Sequence, residues 1–241
     1  MFMKKITEFQ TANYIPQLSV DIVILGYEDE VIKCLLLRVK DKWMLPGGYI
    51  EQKQSVQAAA ANVLELRTGL KNQHLRFLSV FGAENRHFEN ENQFFLENAQ
   101  LNKIKIDDIS WFEKRFVTLS HYALVDIQKT HPQVSFFDEE WQWFDLDNLP
   151  RMWMDHHDIV QTARERLKED IQHEPVAYNL LPEPFTMPAL HQLHQVILGT
   201  SVDRSRFQKS MLALDKFERL PKLKKDSPGR SPFLYRARKA V

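Results

Sequence analysis

The 241-residue sequence has a single cysteine, Cys34, so no disulfide can form within it. Cys34 lies in the apolar segment VIKCLLLRV, where a buried strand thiol is expected, and a chain with no disulfide framework suits a reducing cytoplasm. No apolar run approaches the roughly 18 residues that a bilayer-spanning helix needs. The start, MFMKKITEFQ, has basic residues with no apolar stretch behind them, so neither a membrane-inserted nor a signal-peptide-secreted protein is expected. Net charge is absent too, with 32 basic against 32 acidic residues. What the chain does have is core-forming material: 44% hydrophobic, 11% aromatic and 27% charged residues, with a mean hydropathy of -0.41. That is the profile of a globular protein of one large or two modest domains.

The zero balance hides an asymmetry. From Glu174 to Val241 there are twelve Lys or Arg against six acids, so residues 1–173 carry 20 bases against 26 acids. A net-positive C-terminal module behind a net-negative body is the electrostatic footprint of a polyanion binder, although a solvated basic face would look the same. Four prolines, Pro175, Pro182, Pro184 and Pro188, set an extended connector at the same place. We therefore divide the chain into residues 1–173 and 174–241.

The first part alternates strand and helix signals. SVDIVILGY and VIKCLLLRV flank the acidic turn Glu28-Asp29-Glu30 and read as a hairpin. Pro46, Gly47 and Gly48 break regular structure, an alanine-rich amphipathic helix runs from Gln54 to Thr68, and Gly69 stops it. LRFLSVFGA, FVTLSHYALVDI and EWQWFDL read as further strands. Asp155 or Asp158 can cap a helix to about Gln172, with Ile159, Val160, Ala163, Leu167 and Ile171 as its apolar stripe. Between Glu84 and Arg115 the asparagine-rich sequence has no clean period, and a surface excursion with a short helix over 92–101 is expected.

The stretch Leu45 to Leu70 resembles the Nudix box of the diphosphohydrolase superfamily. The likeness rests on Leu45-Pro46-Gly47-Gly48 and Thr68-Gly69-Leu70 at family spacing, with Gln54 and Asn62 between. In the active family, glutamates at this spacing share a helix face and hold magnesium against a diphosphate. Here the first glutamate falls on Gln54, the arginine on Asn62 and the three metal-binding carboxylates on Val63, Leu66 and Arg67. Glu65 points about 100° away from the neighbouring ligand positions. The resemblance thus implies an α+β fold, a Nudix-like α/β/α sandwich with a mixed sheet, that has no catalytic or metal residues, needs no cofactor and is not an enzyme.

The rest of the chain, through Asn179-Leu180-Leu181-Pro182, Phe185-Thr186, Gly199, Asp203-Arg204, Phe207 and Leu234-Tyr235, is similar to the winged helix-turn-helix of bacterial Nudix-related transcriptional regulators. That family includes repressors of nicotinamide-dinucleotide metabolism and a Bacteroides-type regulator responsive to arabinose. A first helix with Leu190, Leu193, Val196, Ile197 and Leu198 ends at Gly199. A second has Phe207, Met211 and Leu214 inward, and a hairpin tip at Ser227-Pro228-Gly229 forms a wing. Base edges of operator DNA are assigned to Arg204, Ser205, Arg206 and Gln208, and phosphates to Lys209, Lys222, Lys224, Lys225 and Arg230.

The resemblance implies a cytoplasmic, ligand-responsive DNA-binding regulator, a homodimer on double-stranded operator DNA. By analogy with the pocket beside the box, its effector would meet Arg38, Trp43, Glu84, Arg86 and Tyr122. A sugar such as arabinose is favoured, with an ADP-ribose-like nucleotide second. Two alternatives stay open: a hydrolase that recruits metal through Glu51 and Glu84, and an interaction module whose basic tail meets an acidic protein. The histidines are assigned surface or packing roles, since His156 and His157 are adjacent and His191 and His194 have no evident third ligand.

Overall fold

Alternation along the strands decides the architecture. In the computed structural model, which describes residues 8–71, 73–88, 92–135, 137–223 and 231–238, the elements in chain order are β1 (Glu8–Phe9), β2 (Tyr14–Glu28), β3 (Val31–Val39), β4 (Lys42–Met44), β5 (Gly47–Glu51) and α1 (Val56–Thr68). They continue with β6 (His74–Phe81), α2 (Asn92–Leu101), β7 (Lys105–Ile106), β8 (Val117–Leu124), β9 (Glu140–Asp145) and α3 (His156–His173). The last are β10 (Phe185–Thr186), α4 (Met187–Leu198), α5 (Arg204–Ala213), β11 (Phe217–Lys222) and β12 (Phe233–Ala237). The long β2 is the spine of a mixed seven-stranded sheet. It pairs antiparallel with β3 and β5 and parallel with β8; β8 carries β6, and β3 carries β4 and β9.

Successive side chains of these strands enter different cores. Val23, Leu25, Cys34, Leu36, Tyr122 and Leu124 pack with Ile159, Val160, Ala163, Leu167 and Ile171 of α3. Their neighbours Ile22, Ile24, Leu35, Ala123 and Val125 pack with Ala59, Ala60, Val63 and Leu64 of α1. A sheet apolar on both faces needs a helix on each, which gives the expected α/β/α sandwich. Ser55 caps α1, its side chain accepting from the Ala58 N–H at 3.2 Å, and Gly69 ends it.

The excursion is not a surface loop. Its Phe94, Phe95, Ala99, Trp111 and Phe112 are buried with Phe9, Val39, Phe116 and Trp153 in a third, aromatic core. Period was lost because the segment is broken into α2, the two-residue β7 and a 3₁₀ helix over Ile109–Glu113, none long enough to display one. Nor is the proline-rich connector extended throughout: Val176–Leu180 forms a 3₁₀ helix with Val176, Ala177 and Leu180 buried.

Beyond it, Thr186 caps α4 by accepting from the Ala189 N–H, Pro188 lies in the first turn, and Gly199 closes the helix at φ 67°, where a side chain would be strained. Asp203 caps α5 through the Arg206 N–H at 2.7 Å. β10, β12 and β11 complete an antiparallel sheet behind the two helices. Phe207 is buried as expected and Met211 is partly so, whereas Leu214 lies just past the end of α5 and is exposed. The core beneath α3 runs without a break into Val176, Leu190, Leu193, Phe207 and Tyr235. Among the described residues no helix is long and apolar enough to cross a membrane.

Candidate functional site

The break expected at Pro46-Gly47-Gly48 is confined to a loop at Leu45 and Pro46, because Gly47 and Gly48 already pair with β2 as the start of β5, and the segment is fixed from three directions. The Leu45 N–H donates to His156 Nδ1 at 2.9 Å, the Ile22 N–H donates to the Pro46 carbonyl at 2.8 Å, and Gly47 lies opposite Asp21 on β2. A Cβ on Gly47 would stand 2.4 Å from Asp21 Oδ1, so glycine is what lets β5 lie against that carboxylate. Loop, α1 and the aromatic core enclose a cavity of about 430 Å³, of a size to take a small organic ligand. Phe9, Tyr49, Phe95, Phe116 and Phe137 form its apolar walls.

Two buried ion-pair clusters line the cavity. In one, Arg86 donates through Nη2 to Asp21 Oδ2 at 2.6 Å and through Nε to Asp155 at 2.9 Å; its side chain is 3% exposed. His156 faces the same Asp21 oxygen at 3.9 Å, and burial lowers its pKa, so the ring is neutral and accepts at Nδ1. Burial likewise pushes the Tyr49 phenol up, keeping it protonated. In the other cluster Arg67 pairs with Asp138 at 2.8 Å and also donates to Ser135 Oγ and the Gln133 carbonyl.

This donor set does not fit magnesium. Val63 and Leu66 are apolar, Arg67 brings a positive charge, and Asp138 is committed to Arg67 and Ser135. Glu65 turns away to Lys71 at 3.0 Å. Among the described residues no three His, Cys, Asp or Glu side chains gather to hold a metal ion.

Of the effector residues expected from sequence, Arg86 lines the cavity. Arg38 instead pairs with Glu139 and Glu140 on the sheet, and Trp43 packs on Phe144 with ring centroids 4.6 Å apart. The strand pleat turns Tyr122 toward α3, where its hydroxyl donates to Asp170, and Glu84 stands exposed in a turn. Glu51 lines the cavity and Glu84 does not. Asp21 and Asp138 carried no signal in the sequence, and His156, given a surface or packing role, is buried and holds the Leu45 N–H. Sequence reasoning also missed the aromatic walls, of which only Phe95 comes from the excursion and the others from four separate parts of the chain.

At the other end of the molecule Arg204, Ser205, Arg206, Gln208 and Lys209 are all exposed on α5. Phe207 anchors that helix between the rings of His191 and His194, at 5.2 and 4.7 Å. Lys222 is exposed on β11 with its ammonium 5.3 Å from the Phe233 ring. Lys224, Lys225 and Arg230 lie outside the described residues.

Comparisons with known proteins agree with this two-part layout. A sequence profile described as NUDIX domain matches residues 15–163, and one described as NrtR DNA-binding winged helix domain matches residues 177–237. The Acinetobacter baylyi protein described as ADPR responsive transcriptional repressor NtrR is 24% identical over 217 residues, 86% of this chain and 77% of that one. An RNA pyrophosphohydrolase of Pelagibacter ubique is 26% identical over 153 residues, 63% of this chain and 90% of that one. In fold, the chain is similar to Shewanella oneidensis NrtR complexed with a 27mer DNA, with a TM-score of 0.72 at 24% identity over 92% of this chain and 94% of that one. A MutT/nudix family protein from Enterococcus faecalis gives 0.65 at 21% identity over 93% and 87%. With the first profile spanning most of its length and the second directly behind, the chain belongs to the NUDIX domain family, in the Nudix-related regulator form that ends in an NrtR DNA-binding winged helix domain.

Proposed function

We propose that this protein is a cytoplasmic transcriptional repressor that senses an ADP-ribose-like nucleotide in its Nudix cavity without hydrolysing it. The observation that carries the proposal is the Arg67–Asp138 ion pair standing where the hydrolase pattern places metal ligands. A 430 Å³ cavity that keeps its loop and its aromatic walls can still hold a ligand. The Acinetobacter baylyi relative is described as ADPR responsive, which moves the nucleotide ahead of a sugar such as arabinose.

On this reading residues 1–173 sense and residues 174–241 bind DNA. Arg204, Ser205, Arg206 and Gln208 meet base edges; Lys209, Lys222, Lys224, Lys225 and Arg230 meet phosphates; two copies engage two half-sites. The likeness to a pyrophosphohydrolase and the presence of Glu51 in the cavity favour hydrolysis as a second reading. Calorimetry with ADP-ribose, followed by product analysis after incubation with magnesium, separates the two. The repressor reading expects saturable binding and intact ligand; turnover at an ordinary enzymatic rate rejects it, and saturable arabinose binding with none for ADP-ribose reverses the order of effectors.

A further inference from the structure

Asp155 begins α3 but does not cap it. Ser55, Thr186 and Asp203, at the starts of α1, α4 and α5, are extended residues with ψ of 155°, 152° and 120°, and each side chain accepts from its own helix. Asp155 has φ -92° and ψ 14° and makes no such bond. Its carboxylate accepts instead from Arg86 Nε, at 2.9 and 3.2 Å. The residue before it, Met154, is a non-glycine with φ 45°, a left-handed conformation that persists only when its surroundings hold it. Met154, Arg86, Asp21 and His156 all line the cavity. A strained two-residue hinge is therefore pinned by a guanidinium that faces the ligand space.

Both guanidiniums that line the cavity are already paired, Arg67 with Asp138 and Arg86 with Asp21 and Asp155. An anion that takes the Nε/Nη2 edge of Arg86 must displace a carboxylate to do so. Of the two on Arg86, Asp21 is the more enclosed, its side chain 7% exposed against 17% for Asp155. Asp155 also has somewhere to go, because the first N–H groups of α3 lack a side-chain cap and attract negative charge. At its far end α3 places Leu167 and Ile171 in the same core as Val176, Leu190 and Leu193 of the winged-helix part. A rigid rod thus connects the hinge to α4.

We propose that the Met154–Asp155 hinge is the coupling device of the repressor. Phosphate oxygens of an anionic effector take Arg86, Asp155 rotates to cap α3, the strained Met154 relaxes, and the shift of α3 reorients the winged helix. This rests on the cavity being the effector site. It requires no new contact between effector and DNA-binding part, only a two-state element that both ends bias.

Asp155→Ser supplies a good cap that cannot ion-pair, and so imitates the effector-bound hinge. The full-length variant, titrated without effector against duplex DNA from upstream of its own gene, is expected to bind about tenfold more weakly than wild type. It is also expected to bind ADP-ribose more tightly in calorimetry, since one competitor for Arg86 is gone. Wild-type operator affinity in a folded Asp155→Ser protein overturns the proposal; the isosteric Asp155→Asn, held to the same criterion, serves if the serine variant does not fold. The DNA arm needs no effector, so failure of ADP-ribose to release wild-type protein from DNA counts against the sensing reading and not against the hinge.

Discussion

Arg67 stands on α1 where the hydrolase pattern has a carboxylate, and its charge is answered by Asp138, whose side chain is 1% exposed. Reversing one charge does not rebuild the metal site, because the other two ligand positions remain the apolar Val63 and Leu66. Arg67→Glu is therefore expected to destabilise the fold by about 3 to 5 kcal/mol, as for breaking a buried pair, and to gain no magnesium affinity. Chemical denaturation and calorimetric titration with magnesium check the two halves of that statement. Burial lowers the pKa of His74, His121, His156 and His194, that of His74 from 6.5 to about 4. Between these values the unfolded chain binds more protons than the folded one, so stability is full above pH 6.5 and is lost as the pH falls toward 4. The melting temperature should drop between pH 7 and pH 5, and His74→Gln should flatten that slope. Gly47 and Gly48 read as a tight loop, but they open strand β5, where a Cβ would strike Asp21 or Val63. Asp21 and His156 were not legible, because their roles exist only through Arg86, 65 positions from Asp21, and through Leu45, 111 positions from His156.

Regular elements were readable where a period could establish itself. The stripe Ile159, Val160, Ala163, Leu167 and Ile171 fixed α3, and the strand alternation fixed which residues meet it. Three short pieces in 92–113 never complete enough turns to show a pattern, so beyond the short helix expected over 92–101 the segment looked like a surface excursion, although its aromatic residues are buried and Phe95 lines the cavity. Gly199 separates α4 from α5, and a Cβ there meets no atom within 4 Å. Gly199→Ala therefore costs only backbone strain, about 1 kcal/mol, readable as a lower denaturation midpoint with an unchanged slope. On the proposed function, roles on α5 and β11 divide by chemistry. Lys222→Ala should weaken DNA binding across all sequences and reduce the slope of log affinity against log salt by about one. Arg206→Ala should instead narrow the gap between operator and unrelated DNA, seen in parallel titrations of the two duplexes.

At the scale of the molecule, the core that starts under the sheet at Val23 and Tyr122 continues through α3 to Leu190, Phe207 and Tyr235. The division at residue 173 drawn from charge and prolines therefore falls where apolar packing is continuous, which is what a chain needs if an event in one part is to be felt in the other. Charge asymmetry made the DNA-binding part legible, while the continuity of packing was invisible in one dimension. Central to the proposed function is that ligand in the cavity and operator DNA on α5 oppose each other. Fluorescence anisotropy of a labelled duplex from upstream of the gene, titrated with full-length protein with and without saturating ADP-ribose, tests it directly. A sensing repressor has an operator affinity at least several-fold weaker when ADP-ribose is present, whereas superimposable curves would contradict that function.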